Sequence, residues 1–135
     1  MTELFSGLVI DYPYLWRWQD DRGETEGRKE RPSCLAFVVK GKSDGLTHVA
    51  LLAISSTAPR EGQVTVEVPE AERRRAGLDP AKRAWITVSE WNHDIAERSF
   101  YLGRNARRFG RFGDSFLREV LIAFRPFLGR EIDRR

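Results

Sequence analysis

The chain has 135 residues, 41% hydrophobic and 32% charged, which suits one globular domain and excludes a disordered polyelectrolyte. One cysteine, Cys34, excludes an internal disulfide, and no apolar run approaches the ~18 residues of a membrane span. The net charge of +3 hides an asymmetry: residues 97–135 carry ten Arg against five acidic side chains, and residues 1–96 carry thirteen basic against fifteen acidic ones.

All ten basic side chains of the Arg-rich end are Arg, the better fork for phosphate. Such an end suits a polyanion partner, nucleic acid most simply, and equally suits a plain solvated surface. The N-terminus has neither a basic leader nor a long apolar segment, so a cytoplasmic protein without a signal peptide or membrane association is expected.

Leu8-Val9-Ile10 with Tyr12 reads as a first strand, ended near Pro13. Residues 17–31 are polar and charged, contain Gly23 and Gly27, and read as a long exposed loop. Pro32 closes it, and Leu35 to Val39 follows as a buried strand; Cys34, just ahead of it in the same apolar stretch, reads as a buried, inert thiol. Lys40 to Gly45 is a turn, and His48 to Ile54 is the returning strand of a hairpin. Ser55 to Pro59 is a polar loop. Val64, Val66 and Val68 alternate with Thr65 and Glu67, the period of a half-buried strand.

Pro69 opens a short helix, Glu70 to Ala76, with Gly77 as its C-terminal stop. Trp85-Ile86-Thr87-Val88 is a fifth strand. Gly103, Gly110 and Gly113 do not form a phosphate-binding loop and read as a flexible lead-in. The last element is a helix capped by Asp114 or Ser115, with Phe116, Leu117, Val120, Leu121 and Phe124 on one face and an end near Pro126. Strands dominate the first two-thirds. The expected class is mainly β (α+β): one domain over residues 1–135, a small barrel or curled sheet with a C-terminal helix packed on it.

No metal or cofactor is expected: His48 and His93 stand apart in the sequence and read as isolated. The remaining polar constellation surrounds Arg31. Arg28, Lys29 and Arg31 lie with Glu26 and Glu30 at the mouth of the long loop, and Pro32 restricts Arg31 to extended backbone, which fixes its guanidinium on a rim. The alternative is a loop-end Arg paired with Glu24 or Glu26.

Gly7-Leu8-Val9-Ile10, Glu26-Gly27-Arg28-Lys29-Glu30-Arg31-Pro32 with an apolar strand after it, Ala53-Ile54-Ser55-Ser56 and Val66-Glu67-Val68-Pro69 together resemble the MazF/PemK-type toxins, the growth-inhibitor halves of bacterial toxin–antitoxin pairs. The resemblance is clearest over residues 7–69 and weaker through Trp85-Ile86. It implies an SH3-like barrel of five to seven strands with a C-terminal helix, a homodimer, and a cognate antitoxin as partner. It also implies metal-independent cleavage of single-stranded RNA, in which a 2′-hydroxyl attacks the adjacent phosphorus to leave a 2′,3′-cyclic phosphate and a 5′-hydroxyl.

Under that resemblance Arg31 stabilises the phosphoryl charge, Ser55 stands where the family has Thr, and Glu26 is a candidate general base. Arg28, Lys29, Ser56 and Thr57 would contact RNA. Trp16 and Trp18 would either pack on the barrel or stack on unpaired bases. A non-catalytic module that binds RNA or a protein on the same barrel is the alternative.

Overall fold

The computed structural model describes residues 3–25, 27, 29–102 and 106–135. Eight strands and three α-helices are found among them. In chain order they are β1 (Leu8–Tyr12), α1 (Arg17–Asp21), β2 (Arg31–Lys40), β3 (Thr47–Ser55), β4 (Thr65–Glu67), α2 (Glu70–Arg75), β5 (Trp85–Thr87), β6 (Trp91–Ile95), β7 (Arg108–Arg111), α3 (Asp114–Phe124) and β8 (Glu131–Asp133). A 3-10 turn at Arg125–Phe127, carrying Pro126, ends α3. The fold is mainly β with a C-terminal helix.

The strands make one sheet, ordered β4-β5-β3-β2-β1-β7, with β6 on β3 and β8 on β6. Every pairing is antiparallel except β6 with β8. The far edge of β3 is divided: its first half pairs with β6 and its last two residues with β5. The β2–β3 register shifts at Ala36, because Leu35 meets Leu51 while Phe37 meets Ala50. That extra residue lets the long hairpin bend.

β3 is buried on both faces. Ala50, Leu52 and Ile54 join a core with Cys34, Ile86, Phe112, Val120 and Phe124, closed by α3. Val49, Leu51 and Ala53 face a second core with Leu8, Ile10, Leu35, Tyr12, Tyr14 and Trp16. The continuous apolar run of β3 follows from having no solvent face. The α3 stripe of Phe116, Leu117, Val120 and Phe124 is core packing, as its spacing requires.

Several sequence expectations need correction. Residues 17–31 are not one irregular loop: α1 begins it, started where the Trp16 backbone N–H donates to Gln19 Oε1 at 2.9 Å, and β2 already begins at Arg31. Five to seven strands become eight, because β6, β7 and β8 were not foreseen. The lead-in to α3 contains β7, and Gly103 lies outside the described residues. Pro69 stands at the cap of α2, which starts at Glu70 as expected, whereas Gly113 holds the cap position of α3 that was expected of Asp114 or Ser115. Gly77 ends α2 as expected, with φ of 76°; a Cβ there would strike the Phe109 carbonyl oxygen, so glycine is required twice over.

β6 is buried along its whole length despite its polarity. Asn92 Oδ1 accepts from the Leu15 N–H and Asn92 Nδ2 donates to the Leu15 carbonyl, both at 2.8 Å. Asp94 accepts from the Tyr12 hydroxyl at 2.8 Å and from Ser99 at 2.7 Å. Glu90 accepts from the Arg17 N–H at 2.8 Å and from the Tyr14 hydroxyl at 3.3 Å. These polar groups are satisfied by the segment from Tyr12 to Arg17, and so they fix its path across the sheet. Arg134 closes the same seam, donating to the Pro13 carbonyl at 2.7 Å and to Asn92 Oδ1 at 3.0 Å.

Candidate functional site

β2 and β3 pair Ser33 with Ala53 and Cys34 with Leu52. The β2–β3 ladder ends there: beyond it Arg31 pairs with Tyr12 on β1, and Ser55 pairs with Trp85, which pairs with Glu67. Ser55, Trp85 and Glu67 therefore fall on one rung across three strands, and Arg31, at the open end of the β2–β3 hairpin, lines the same two cavities as Ser55.

Arg31 is half-buried, and its guanidinium carbon stands 5.2 Å from the centre of the Trp16 ring. Its Nε is buried without a hydrogen-bond partner. Burial lowers the Arg31 basicity from its ordinary value, partly opposed by Tyr14. A guanidinium stacked on one ring and short of one acceptor is oriented yet unsatisfied, the condition in which an incoming phosphate oxygen gains most.

The Arg31–Ser55 ridge separates two cavities. The first holds about 230 Å³, and its lining includes Trp16, Trp18, Lys29, Arg60, Thr87 and Trp85. Its described lining contains three cations, Lys29, Arg31 and Arg60, and no carboxylate, so it favours an anion. The second holds about 300 Å³ and adds Glu30, Ser56, Asp79, Lys82 and Arg83, while Ser55, Thr57, Lys29 and Arg31 line both. Ser55 Oγ accepts from the Thr57 N–H at 3.0 Å and donates weakly to the Thr57 carbonyl at 3.4 Å. Its hydroxyl proton is thus free to turn to a better acceptor.

Trp16 is buried in the second core, edge-on to Tyr14 at 5.0 Å. Trp18 carries guanidinium carbons of Arg22 and Arg60 at 5.1 and 5.6 Å. Trp85 carries Arg83 at 4.8 Å, and Arg83 also makes a two-pronged pair with Glu67 at 2.8 Å on each arm. The tryptophans line the cavity as supports for arginines. Of the other residues singled out above, Lys29 is exposed on both cavities, Ser56 reaches only the second, and Glu26 and Arg28 lie outside the described residues.

Arg60, Gln63, Thr65, Lys82, Trp85 and Thr87 were not foreseen as site residues. They come from two separate stretches, 60–65 and 82–87, and only the β3–β5–β4 pairing brings them to the cavities that Arg31 lines. The reading of His48 and His93 as isolated is overturned: His48 Nδ1 lies 2.9 Å from His93 Nε2, joined across the β3–β6 ladder. They remain remote from the rung, since His48 precedes Ser55 by seven residues along β3, a span of about 23 Å. No helix among the described residues is long and apolar enough to cross a membrane. Compared with protein-family models, curated proteins and solved structures, the chain matches none.

Proposed function

We propose that the chain is a MazF/PemK-like endoribonuclease, built as an SH3-like barrel, that cleaves single-stranded RNA at the Arg31–Ser55 ridge without a metal ion. The observation that carries this reading is the ridge itself. A half-buried guanidinium with a free buried N–H stands beside a serine hydroxyl, with a recess on either side. A phosphodiester on the ridge would leave room for one nucleotide in each recess.

In the reaction, the 2′-oxygen forms a bond to phosphorus as the bond from phosphorus to the 5′-oxygen breaks. The 2′-hydroxyl proton leaves to a base, and the departing 5′-oxygen takes up a proton. Arg31 stabilises the charge gathering on the phosphoryl oxygens, and the Ser55 hydroxyl donates to one of them. Lys29 and Arg60 draw the strand in. Glu26 remains the general base under this proposal. On the same reading the chain acts as a homodimer in the cytoplasm and is neutralised by a cognate antitoxin.

The test is to incubate the purified chain with mixed-sequence single-stranded RNA in EDTA and to map the product ends. Cleavage leaving 2′,3′-cyclic phosphate ends, reduced at least ~100-fold in Arg31→Ala, is expected. RNA retention without any cut would instead favour a non-catalytic binding module. Unchanged cleavage by Arg31→Ala would remove the ridge from the mechanism.

A further inference from the structure

The cluster at the other end of β3 is a linear relay of four titratable side chains. His48 pairs across the ladder with Ile95 and Ala50 with His93, so the two imidazoles are diagonal neighbours. His48 Nδ1 lies 2.9 Å from His93 Nε2. Both outer nitrogens are also engaged: His48 Nε2 is 2.9 Å from Asp44 Oδ2, and His93 Nδ1 is 3.2 Å from Glu131 Oε2. Asp44 belongs to the turn between β2 and β3, and Glu131 opens β8.

Proton counting constrains this arrangement. The order is carboxylate, imidazole, imidazole, carboxylate, and each of its three contacts needs one proton between its partners. Two neutral imidazoles bring only two protons, so one contact would then set lone pair against lone pair. Two imidazolium rings bring four, and the central pair of N–H groups would collide. Three protons, one positive charge spread over two rings, satisfy every contact.

We propose that the His48–His93 pair holds one shared extra proton in the folded chain and acts as a proton-dependent latch, fastening β8 and the Asp44 turn to the β3–β6 ladder. The charges around the pair favour that cation. Asp44 approaches from the turn, while Glu131 and Asp133 approach from β8; the Arg135 guanidinium pairs with Asp133 at 2.8 Å and also acts on Glu131 and Asp44, so three carboxylates face one fixed cation. The β2 residue opposite His48 is Val39, which is uncharged; Lys40 lies opposite Thr47, whose N–H and hydroxyl go to Glu97. Trp91, 5.7 Å from the His93 ring, shields the inner side.

The sign of the pH dependence follows from the proton count. The relay needs one proton more than two neutral rings carry, so wherever the folded pair holds that proton and the unfolded chain does not, stability falls as pH rises. In acid the unfolded chain takes up two protons while the central contact has room for only one, so stability falls there as well.

Long-range ¹H–¹⁵N spectra of the full chain over pH 4–10 test this, together with urea unfolding at each pH. The two rings should titrate as a coupled pair in two separated steps. The unfolding equilibrium constant should change by up to ~10-fold per pH unit on the alkaline limb. Asp44→Asn, on an exposed turn, and His93→Gln should both flatten that limb; if His93→Gln does not fold, Asp44→Asn carries the comparison alone. Independent one-step titration of the two rings, or a wild-type alkaline slope in Asp44→Asn, would overturn the proposal.

Discussion

The side-chain amide of Asn92 pairs with both backbone polar groups of Leu15 at 2.8 Å, filling the place that a neighbouring strand would take. Leu15 is the residue before Trp16, and Trp16 is the ring on which Arg31 rests. A polar side chain buried in β6 thereby sets the position of the candidate site from across β3, on the same face of the sheet.

Asn92→Leu removes both contacts, strands two buried backbone groups and leaves Arg134 short of an acceptor. We expect a loss of about 2–4 kcal/mol in urea-induced unfolding. A stability within experimental error of wild type would show that the Leu15 segment finds other partners.

The cation-lined cavity makes a prediction about salt. Each phosphate contact released with its counterion contributes a slope of about −0.7 to the logarithm of single-strand affinity against the logarithm of salt. Arg60→Ala and Lys29→Ala should each weaken retention of single-stranded RNA and reduce the measured slope by about that amount. Unaltered slopes in both variants would place the strand elsewhere on the surface.

Cys34 is fully buried, and burial pushes its thiol up to about 12, so almost no thiolate exists at ordinary pH. Iodoacetamide at pH 8 should leave the native chain unmodified while the urea-unfolded chain reacts fully. Rapid native labelling would mean that the hairpin of β2 and β3 opens far more readily than its packing suggests.

Glu90 is buried, and desolvation raises its carboxyl above the ordinary value despite the opposing contacts from the Arg17 N–H and the Tyr14 hydroxyl. The folded state therefore favours the protonated acid, and stability is lost as pH rises from the unfolded carboxyl's range near ~4.5 through the folded value. Glu90→Gln keeps an acceptor for both partners without the charge. The variant should equal or exceed wild type in thermal stability at pH 7 and should lose this component of the acidic-to-neutral decline. Lower stability than wild type at pH 7 would mean that the ionised carboxylate is needed by Arg17.

Periodicity made β1 to β5 and the apolar stripe of α3 legible, because their hydrophobic pattern and their burial largely coincide; Val39 and Val64, expected inside, are exposed at the strand ends. β6 was hidden for a physical reason. Asn92 and Asp94 look like solvent-facing positions, yet the chain folds a second backbone segment over them and meets their polarity with hydrogen bonds. β7 carries two Arg and a Gly in four residues, and β8 has only three residues, so neither has a local signal. Arg31 and Ser55 could be named from the resemblance, and both line the same two cavities. Arg60, Trp85 and Lys82 could not, since their approach depends on which strands pair. The same holds for His48 and His93, separated by 44 intervening residues and joined only by the β3–β6 ladder.

Three of the four tryptophans, Trp16, Trp18 and Trp85, line the first cavity, each with a guanidinium over its ring. Most of the indoles of the chain consequently sit in the candidate site. Any ligand that draws Arg31, Arg60 or Arg83 off its indole changes the emission directly, so occupancy can be followed in unlabelled protein. Trp91, packed against Phe37 and Phe124 on the far side of the sheet, supplies the internal reference.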